Sequence, residues 1–136
     1  MPSMYDIYEN HAVEYDELVD REDCRGELAA FMRGFVGRGE RVLEAGTGTG
    51  RVTALYASNA TSVLCCDRSA HMLERARSRL AAHGDRIAFR VLDNLALAGA
   101  ADSGAFDLVV EGWSFGHTVS DFPGREDETT DALVAA

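Results

Sequence analysis

Three glycines at alternate positions, Gly46, Gly48 and Gly50, lie directly between a short apolar run and a segment with helical spacing. Such a string is typical of the turn from a buried strand into a helix, because glycine tolerates positive φ and has no Cβ to block close approach. We expect Gly46 to turn the chain out of the strand, Gly48 to let a ligand reach the backbone, and Gly50 to let the helix pack closely. Exposed amides at the helix start favour an anionic group such as a carboxylate. The alternative is a glycine-rich turn without a ligand, in which the glycines would only weaken the fold.

Short apolar runs alternate with helical segments over the rest of the chain. The expected strands span residues 41–45, 62–66, 86–91 and 106–110, and the runs Val42-Leu43 and Val109-Val110 fit strands buried on both faces. Much of the first forty residues is expected to be helical, with Leu28, Phe31, Met32 and Phe35 on one face. A second helix would hold Val52, Leu55 and Tyr56, and a third, capped by Ser69, would have an apolar stripe of Met72, Leu73, Ala76 and Leu80. A last helix is expected over residues 129–136. This alternation predicts an α/β, Rossmann-like fold with a doubly wound parallel sheet, in which ligands bind at the carboxyl ends of the strands.

The balance of charge argues against nucleic acid as a partner. The formal net charge is -10, and so acidic a chain repels a phosphate backbone unless its basic residues cluster on one face. The arginines of residues 75–79 alternate with apolar positions in a helical pattern, which favours an ordinary solvated helix face.

Cysteine and histidine usage predicts no metal site. Cys24, Cys65 and Cys66 form no C-x-x-C pair, and their odd number suits a reducing cytosol. The four histidines share no ligand spacing with each other or with the cysteines. The N-terminus lacks a signal-peptide pattern, and no apolar stretch approaches the ~20 residues that span a bilayer. We therefore expect a cytoplasmic protein with no membrane partner.

The spacing of the glycines separates two nucleotide-like ligands. Dinucleotide-binding folds use G-x-G-x-x-G, and the third glycine of that pattern would fall at Arg51, so an NAD(P)-binding oxidoreductase is the less favoured alternative. The observed string, Val42-Leu-Glu-Ala-Gly-Thr-Gly-Thr-Gly50, resembles the first motif of class I S-adenosylmethionine-dependent methyltransferases, with Glu44 in its acidic place. The resemblance implies S-adenosyl-L-methionine (SAM) as the cofactor, next to Glu44, Ala45, Gly46, Thr47, Gly48 and Gly50.

An acidic residue at the end of the second strand supports the same interpretation. Asp67 follows Gly46 by about 20 residues, where a carboxylate can accept hydrogen bonds from both ribose hydroxyls. The alternative is a simple helix-capping role, because Ser69 follows. The resembled family carries an acidic residue at this position and often an apolar one after it. Here that residue is Arg68, whose guanidinium could stack on adenine or point to water.

Two later segments extend the resemblance. Val91-Leu-Asp-Asn94 looks like the family's segment at the end of the third strand, which implies Asp93 facing the adenine amino group, with Leu92 and Asn94 beside the ring. A turn-forming Asp-Asn pair is the alternative for Asp93, and plain core is the alternative for Leu92. Phe106-Asp-Leu-Val-Val-Glu-Gly112 looks like the family's fourth strand. It implies a structural Asp107, with Glu111 and Gly112 beside the methionine part of the cofactor.

The catalytic residues are less well marked than the cofactor residues. His11-Ala-Val-Glu-Tyr-Asp16 resembles the helix that lids the cofactor in small-molecule methyltransferases of the quinone-biosynthesis type, so residues 1–39 are expected to form a helical lid. Tyr15 would lie near the sulfonium, where an aromatic face attracts positive charge, or else in the core. His117, in the expected loop after the fourth strand, is a candidate base, and a surface or core histidine is the alternative. No other catalytic set is visible.

The resemblance also has implications for the methyl acceptor and for the extent of the domain. Family members that methylate nucleic-acid bases carry a Pro-Pro-Tyr-like string after the fourth strand, whereas residues 111–114 read Glu-Gly-Trp-Ser, and Trp113 with Phe115 suggests an apolar small-molecule pocket. The family's sheet has the order 3-2-1-4-5-7-6, of which this chain supplies the first four strands. We therefore expect residues 1–136 to form one truncated SAM-binding domain with N-terminal helices and strand order 3-2-1-4.

Three functional hypotheses follow. The first is a SAM-dependent methyltransferase acting on a small molecule, and the second is a non-catalytic or truncated SAM-binding module that needs a partner chain. The third is the NAD(P)-binding oxidoreductase, which the glycine spacing disfavours. Because a bare apolar strand invites association, the fourth strand is expected to pair with another copy or with a complementing chain.

Overall fold

The computed structural model describes residues 3–99 and 104–134. Three helices come first: α1 (Met4–Asn10), α2 (Ala12–Val19) and α3 (Glu27–Phe35). The alternating part then runs β1 (Arg41–Ala45), α4 (Arg51–Tyr56), β2 (Ser62–Asp67), α5 (Ala70–Arg79), β3 (Ile87–Val91), β4 (Leu108–Glu111), α6 (Ser114–Ser120) and α7 (Glu126–Val134). Short 3-10 segments at Ala81–Arg86 and Asn94–Gly99 lie on either side of β3.

The four strands form one parallel sheet in the order β3-β2-β1-β4. This confirms the predicted fold class and strand order. β1 lies between β2 and β4, with Val42 beside Val63 on one side and beside Leu108 on the other. The chain order reverses on the two sides of β1, and a ligand crevice in such a sheet opens at the carboxyl ends of the strands at this point.

Alternate residues of β1 belong to two apolar layers. Val42 packs with Val63 of β2 and with residues of α3, α4 and α5, among them Met32 and Tyr56. Leu43 faces the opposite layer, a smaller cluster with Cys66 and Leu97 that is partly covered by Phe106 and Phe115. Helices therefore lie on both faces of the sheet, as the alternating pattern predicts.

Neighbouring apolar residues differ in burial in α3 and in β4, and in β4 this contradicts a prediction. In α3, Met32 is buried, whereas Phe31 is 63% exposed and stacks on Phe35. In β4, Val110 is buried but Val109 is 57% exposed. Within the described residues β4 has a single neighbour in the sheet, β1, so it lacks the cover that a central strand would have.

The region after β4 also differs from expectation. Residues 114–120 are helical rather than a loop, and α7 begins at Glu126 instead of near Thr129. The last two residues of the expected final helix lie outside the described residues. Asp107, just before β4, accepts hydrogen bonds from the Arg41 guanidinium at 3.0 and 2.9 Å, and these bonds lower its pKa to about 2. This contact is structural.

Of the arginines predicted to form a solvated face of α5, Arg77 is exposed, but Arg75 and Arg79 are not simply solvated. Arg75 and Arg79 form ion pairs with the buried Asp16 of α2, and Arg79 also contacts Asp20. These contacts hold the N-terminal helices against α5. Among the described residues, no helix is long and apolar enough to cross a membrane, and no cluster of His, Cys, Asp and Glu side chains could hold a metal ion.

Candidate functional site

A cavity of about 580 Å³ lies at the carboxyl ends of β1, β2 and β4, between the glycine turn, α2 and α6. Its size is within the range usual for small-molecule sites. Of the predicted cofactor residues, the lining contains Tyr15, Glu44, Gly46, Thr47, Gly48, Asp67, Arg68, Asp93, Asn94 and Gly112, and it also contains the candidate base His117. Ala45, Gly50, Leu92 and Glu111 lie outside the lining.

The three glycines of the turn have positive φ, and each meets different surroundings. A Cβ on Gly46 (φ 63°) would lie 2.0 Å from Cβ of Ser114, so the start of α6 packs directly on this residue. A Cβ on Gly50 (φ 78°) would lie 3.2 Å from Cβ of Ala76 in α5. A Cβ on Gly48 (φ 57°) would meet no atom within 4 Å. The turn thus packs closely at both ends and leaves its middle residue open.

Asp67 connects the end of β2 to the glycine turn. Its Oδ2 accepts a hydrogen bond from the Gly48 amide at 2.8 Å, and its Oδ1 accepts one from the Ser69 amide at 2.8 Å. Burial raises the pKa of this carboxyl, although the two amide bonds act in the opposite direction. Helix capping belongs to Ser69, whose hydroxyl accepts from the Met72 amide. Asp67 therefore shapes the turn and still faces the cavity.

The Glu44 carboxylate is directed into the core behind the turn. It accepts hydrogen bonds from the hydroxyls of Thr53, at 2.8 Å, and Tyr56, both on α4. Burial raises its pKa to about 7, because the two hydrogen bonds offset only part of the desolvation. The acidic position of the motif thus holds α4 to β1 through its side chain.

The opposite wall is built from the 3-10 segment after β3 and from α6. Asp93 Oδ1 accepts from the Leu95 amide at 2.9 Å, which is the turn geometry considered as its alternative role. Asn94 is buried and donates to the hydroxyls of Ser114 and Thr118 at 3.1 and 3.0 Å. Its side chain therefore joins the wall to α6.

Arg68 lines the cavity and forms an ion pair rather than pointing to water. Its Nη1 lies 2.7 Å from Oδ2 of Asp121, at the end of α6, and both side chains are largely buried. This ion pair fastens the end of α6 to β2. Asp121 was missed in the sequence, because nothing local marks a partner that is so distant along the chain.

The turn after β4 is strained at Trp113. Among the described residues, Trp113 is the only one other than glycine that has a positive φ. Trp113 has a φ of 71° and its side chain is 61% exposed. Bulky residues rarely adopt this conformation, and it is common near functional sites. The Arg51 guanidinium lies 5.7 Å from the Trp113 ring centre and pairs with Glu22 at 2.9 Å. Glu111 accepts from the Phe115 amide at 2.8 Å and so caps α6 from behind the turn.

Aromatic rings cover the cavity from the side of the N-terminal helices. Tyr8 contacts Tyr15 edge-on with ring centres 5.7 Å apart, and it contacts His117 at 6.1 Å. Burial raises the pKa of Tyr8 to about 12 and also raises that of Tyr15. His117 lies on α6, not on the predicted loop. Tyr8 was missed because a tyrosine in a short amphipathic helix carries no signal of its own.

The lining has a consistent chemical character. Carboxylates at Asp67 and Asp93 can accept hydrogen bonds from hydroxyl and amino groups, and the open backbone at Gly48 allows close approach. The faces of Tyr8 and Tyr15 can attract a cationic group. Such a cavity suits a nucleoside that carries a positive charge.

Comparison with known proteins identifies this chain as similar to methyltransferases. A family model described as "Methyltransferase domain" matches residues 42–132. The chain is similar to a protein-L-isoaspartate O-methyltransferase of Rhodopseudomonas palustris (strain BisB18), with 39% identity over 71 residues that cover 52% of this chain and 32% of that protein. The chain therefore spans about a third of the length of this curated relative.

Solved structures of DhpI resemble the chain over nearly all of its length. A DhpI–SAH complex has a TM-score of 0.67 and 27% identity, covering 95% of this chain and 59% of that one. A DhpI–SAM–HEP complex has a TM-score of 0.66 and 26% identity, covering 100% of this chain and 63% of that one. The family match spans well over half of the residues, and the chain belongs to the family of methyltransferase domains.

Proposed function

We propose that the chain binds SAM in this cavity and transfers its methyl group to a small-molecule acceptor. The observation that carries the proposal is that the open backbone of Gly48 and the carboxylate of Asp67 meet in one cavity at the carboxyl ends of the strands. The complexes of the similar protein DhpI with SAH and with SAM support the choice of ligand.

The nucleoside half is assigned to Asp67 and Asp93. An ionised carboxylate offers about four lone-pair sites, and the Gly48 and Ser69 amides use two of those on Asp67. The remaining capacity suits the two ribose hydroxyls. Asp93 accepts one amide bond through Oδ1, which leaves its other oxygen to accept from the adenine amino group. Asn94 and Leu92 would position this wall.

The methionine half is assigned to the backbone from Gly46 to Gly48 and to Gly112. Glu44 would act there through its backbone, because Thr53 and Tyr56 already occupy its carboxylate. This wall would be supported from outside the cavity by Ala45, Gly50 and Glu111. Arg68, which lines the cavity, would support it through its ion pair with Asp121. Tyr15, on α2, would place its ring near the sulfonium, so residues 1–39 would act as the lid of a single domain.

When bound, SAM supplies an electrophilic methyl group, and the protein must align the acceptor with it in a dry site. The bond from the acceptor to the methyl carbon forms as the carbon–sulfur bond breaks, and SAH is released. Tyr8, Tyr15 and Trp113 exclude water from this space. His117 is the candidate base for an acceptor that must lose a proton.

Calorimetric titration tests the proposal. SAH is expected to bind and NAD to give no heat, because the third glycine lies too early for a pyrophosphate turn. Asp67→Ala should weaken SAH binding by about 1.5–3 kcal/mol, the scale of hydrogen bonds to a charged group. The control Asp85→Asn removes an exposed carboxylate outside the cavity and should leave the affinity unchanged. Absence of SAH binding to the wild type would refute the proposal.

A non-catalytic SAM-binding module is the second candidate, and the edge of β4 is the observation that favours it. Val109 is exposed on a strand that, within the part of the chain that the structure describes, pairs only with β1. We propose that a second copy or a complementing chain adds a strand at this edge. Transfer of radiolabelled methyl from SAM to candidate acceptors separates the two functions, because a binding module would bind SAH without turnover.

The remaining parts of the proposal concern acceptor class and location. The net charge of -10 disfavours a nucleic acid acceptor. A reducing cytoplasm would suit the three free thiols, of which Cys24 is exposed while Cys65 and Cys66 are buried. Burial raises the pKa of the Cys65 thiol to about 12, which makes it unreactive.

A further inference from the structure

Asp16 of α2 is a buried carboxylate that lies outside the cavity and joins three elements. It is 4% exposed. The hydroxyl of Thr49, in the glycine turn, donates a hydrogen bond to its Oδ1. The guanidinium groups of Arg79 and Arg75, both on α5, lie 2.9 Å from Oδ1 and 3.1 Å from Oδ2. A buried charge with these partners is stable only while all of them stay in place.

The segment that carries Asp16 is attached to the rest of the protein largely by polar contacts, which include the ion pairs of Asp20 with Arg79 and of Glu22 with Arg51. Leu18 is 74% exposed and Val13 is 49% exposed, so α2 buries little apolar surface beyond Ala12 and Val19. Elsewhere in this segment, the Ser69 hydroxyl donates to the backbone oxygen of Tyr8 at 3.0 Å. A segment with so few buried apolar contacts opens more readily than the sheet.

Tyr15, which precedes Asp16 in the chain, lines the cavity. Thr49, which donates a hydrogen bond to Asp16, lines it as well. The same carboxylate therefore sets both the position of the aromatic cover and the conformation of the turn between Gly48 and Gly50. Opening of α2 would uncover the cavity and release Thr49 together.

We propose that Asp16 is a positioning residue that latches α1 and α2 over the cavity and thereby sets the rate at which the cofactor leaves. This latch consists of Asp16, Thr49, Arg75 and Arg79. The inference rests on the proposed function for its ligand, SAH, but the latch itself belongs to the ligand-free protein. Asp16 does not contact the ligand and acts through Tyr15 and Thr49.

Hydrogen exchange of the ligand-free protein tests the latch first. Asp16→Asn keeps the size of the side chain and removes its charge. Amide exchange in α2 is expected to accelerate at least about tenfold, as for the loss of a charged hydrogen bond, while β1 and β2 keep their protection. The control Glu17→Gln makes the same change on an exposed position of α2 and should have no effect. Unchanged exchange in α2, or an equal acceleration in β1 and β2, would overturn the proposal.

The dissociation rate of SAH tests the consequence for the site. In Asp16→Asn the rate is expected to rise at least about tenfold, with little change in the association rate. Thr49→Val removes one contact of the latch and is the variant to use if Asp16→Asn fails to fold. Its effect should add little to that of Asp16→Asn in the double variant, because the two residues share one interaction. Equal dissociation rates in the single variants and the wild type would contradict the inference.

The two proposals fail in distinguishable ways. If the wild type does not bind SAH, the proposed function is refuted, and the exchange measurement still decides whether the latch exists. If SAH binds and exchange in α2 does not respond to Asp16→Asn, the latch is refuted and the proposed function stands.

Discussion

Gly46 lies against the first turn of α6 in a backbone conformation that other residues adopt with difficulty. Gly46→Ala would place a Cβ 2.0 Å from that of Ser114 at a φ of 63°. We expect a loss of about 2–3 kcal/mol in the free energy of unfolding, from strain and displacement of α6 together. Urea unfolding followed by circular dichroism measures it.

Gly48→Ala is the matched control for this prediction. Its backbone has a similar φ of 57°, but the added Cβ would meet no protein atom within 4 Å. The expected loss of stability is about 1–2 kcal/mol, the cost of a left-handed conformation alone. SAH binding should nevertheless weaken, because the methyl group enters the ligand space. Equal destabilisation by the two variants would contradict the assigned packing.

The raised pKa of Glu44 predicts that the stability of the protein depends on pH. Burial raises its pKa from 4.5 to about 7 in the folded protein. The folded state therefore binds more protons than the unfolded state between these values, and stability falls as the pH rises from about 4.5 to 7. The contribution is at most about 3 kcal/mol.

Glu44→Gln isolates that contribution. The variant lacks the titrating group, so its stability should fall less than that of the wild type over the same pH interval, as measured by urea unfolding at several pH values. Identical pH profiles for the two proteins would show that Glu44 does not titrate in this range.

The residues that sequence reasoning found are those whose role depends on neighbours in the chain. Gly46, Gly48 and Asp67 are marked by their positions at the ends of strands, and the structure brings them together. Asp16 and Asp121 carry no such mark. Their partners are distant arginines, and only tertiary packing determines which acidic residues of so acidic a chain meet them.

Among the elements, the strands and α5 follow from the sequence, whereas α6 does not. β1 was predicted with its observed bounds, because an apolar run between a charged residue and a glycine leaves little freedom. Residues 114–120 include Gly116, Thr118 and Val119, which are poor helix formers. α6 forms because Glu111 caps its first turn and Asn94 binds its inner face.

Asn94 should therefore be essential for α6 and for the cavity wall. Asn94→Ala removes the hydrogen bonds to Ser114 and Thr118, and we expect a loss of about 1–3 kcal/mol in the free energy of unfolding. Hydrogen exchange should locate the loss in α6. Ser120→Ala, at the exposed end of the same helix, is the control and should change little. Unaltered exchange in α6 of Asn94→Ala would argue that other contacts hold the helix.

Among the described residues the sheet has two edge strands, β3 and β4, and each has an exposed valine, Val91 and Val109. Val109 of β4 is 57% exposed to solvent. Apolar edge strands associate unless a charge prevents it. The fold class was predictable because the alternation of strands and helices and the glycine string are local signals, but the exposure of Val109 depends on tertiary packing.

Association through β4 can be measured by light scattering of the purified chain. The wild type is expected to exceed the mass of a monomer, and Val109→Lys should return it to the monomer by charging the edge. Val134→Lys makes the same change on α7, where the side chain is 83% exposed. It should leave the mass unchanged. A wild type that stays monomeric at high concentration would contradict association at this edge.

A crystal structure of the chain with SAH tests the central assignment most directly. The account predicts both ribose hydroxyls within hydrogen-bond distance of Asp67, the adenine beside Asp93, and the amino acid part of the ligand against Gly46 and Gly48. SAH bound elsewhere, or bound in this cavity with its ribose away from Asp67, would contradict it.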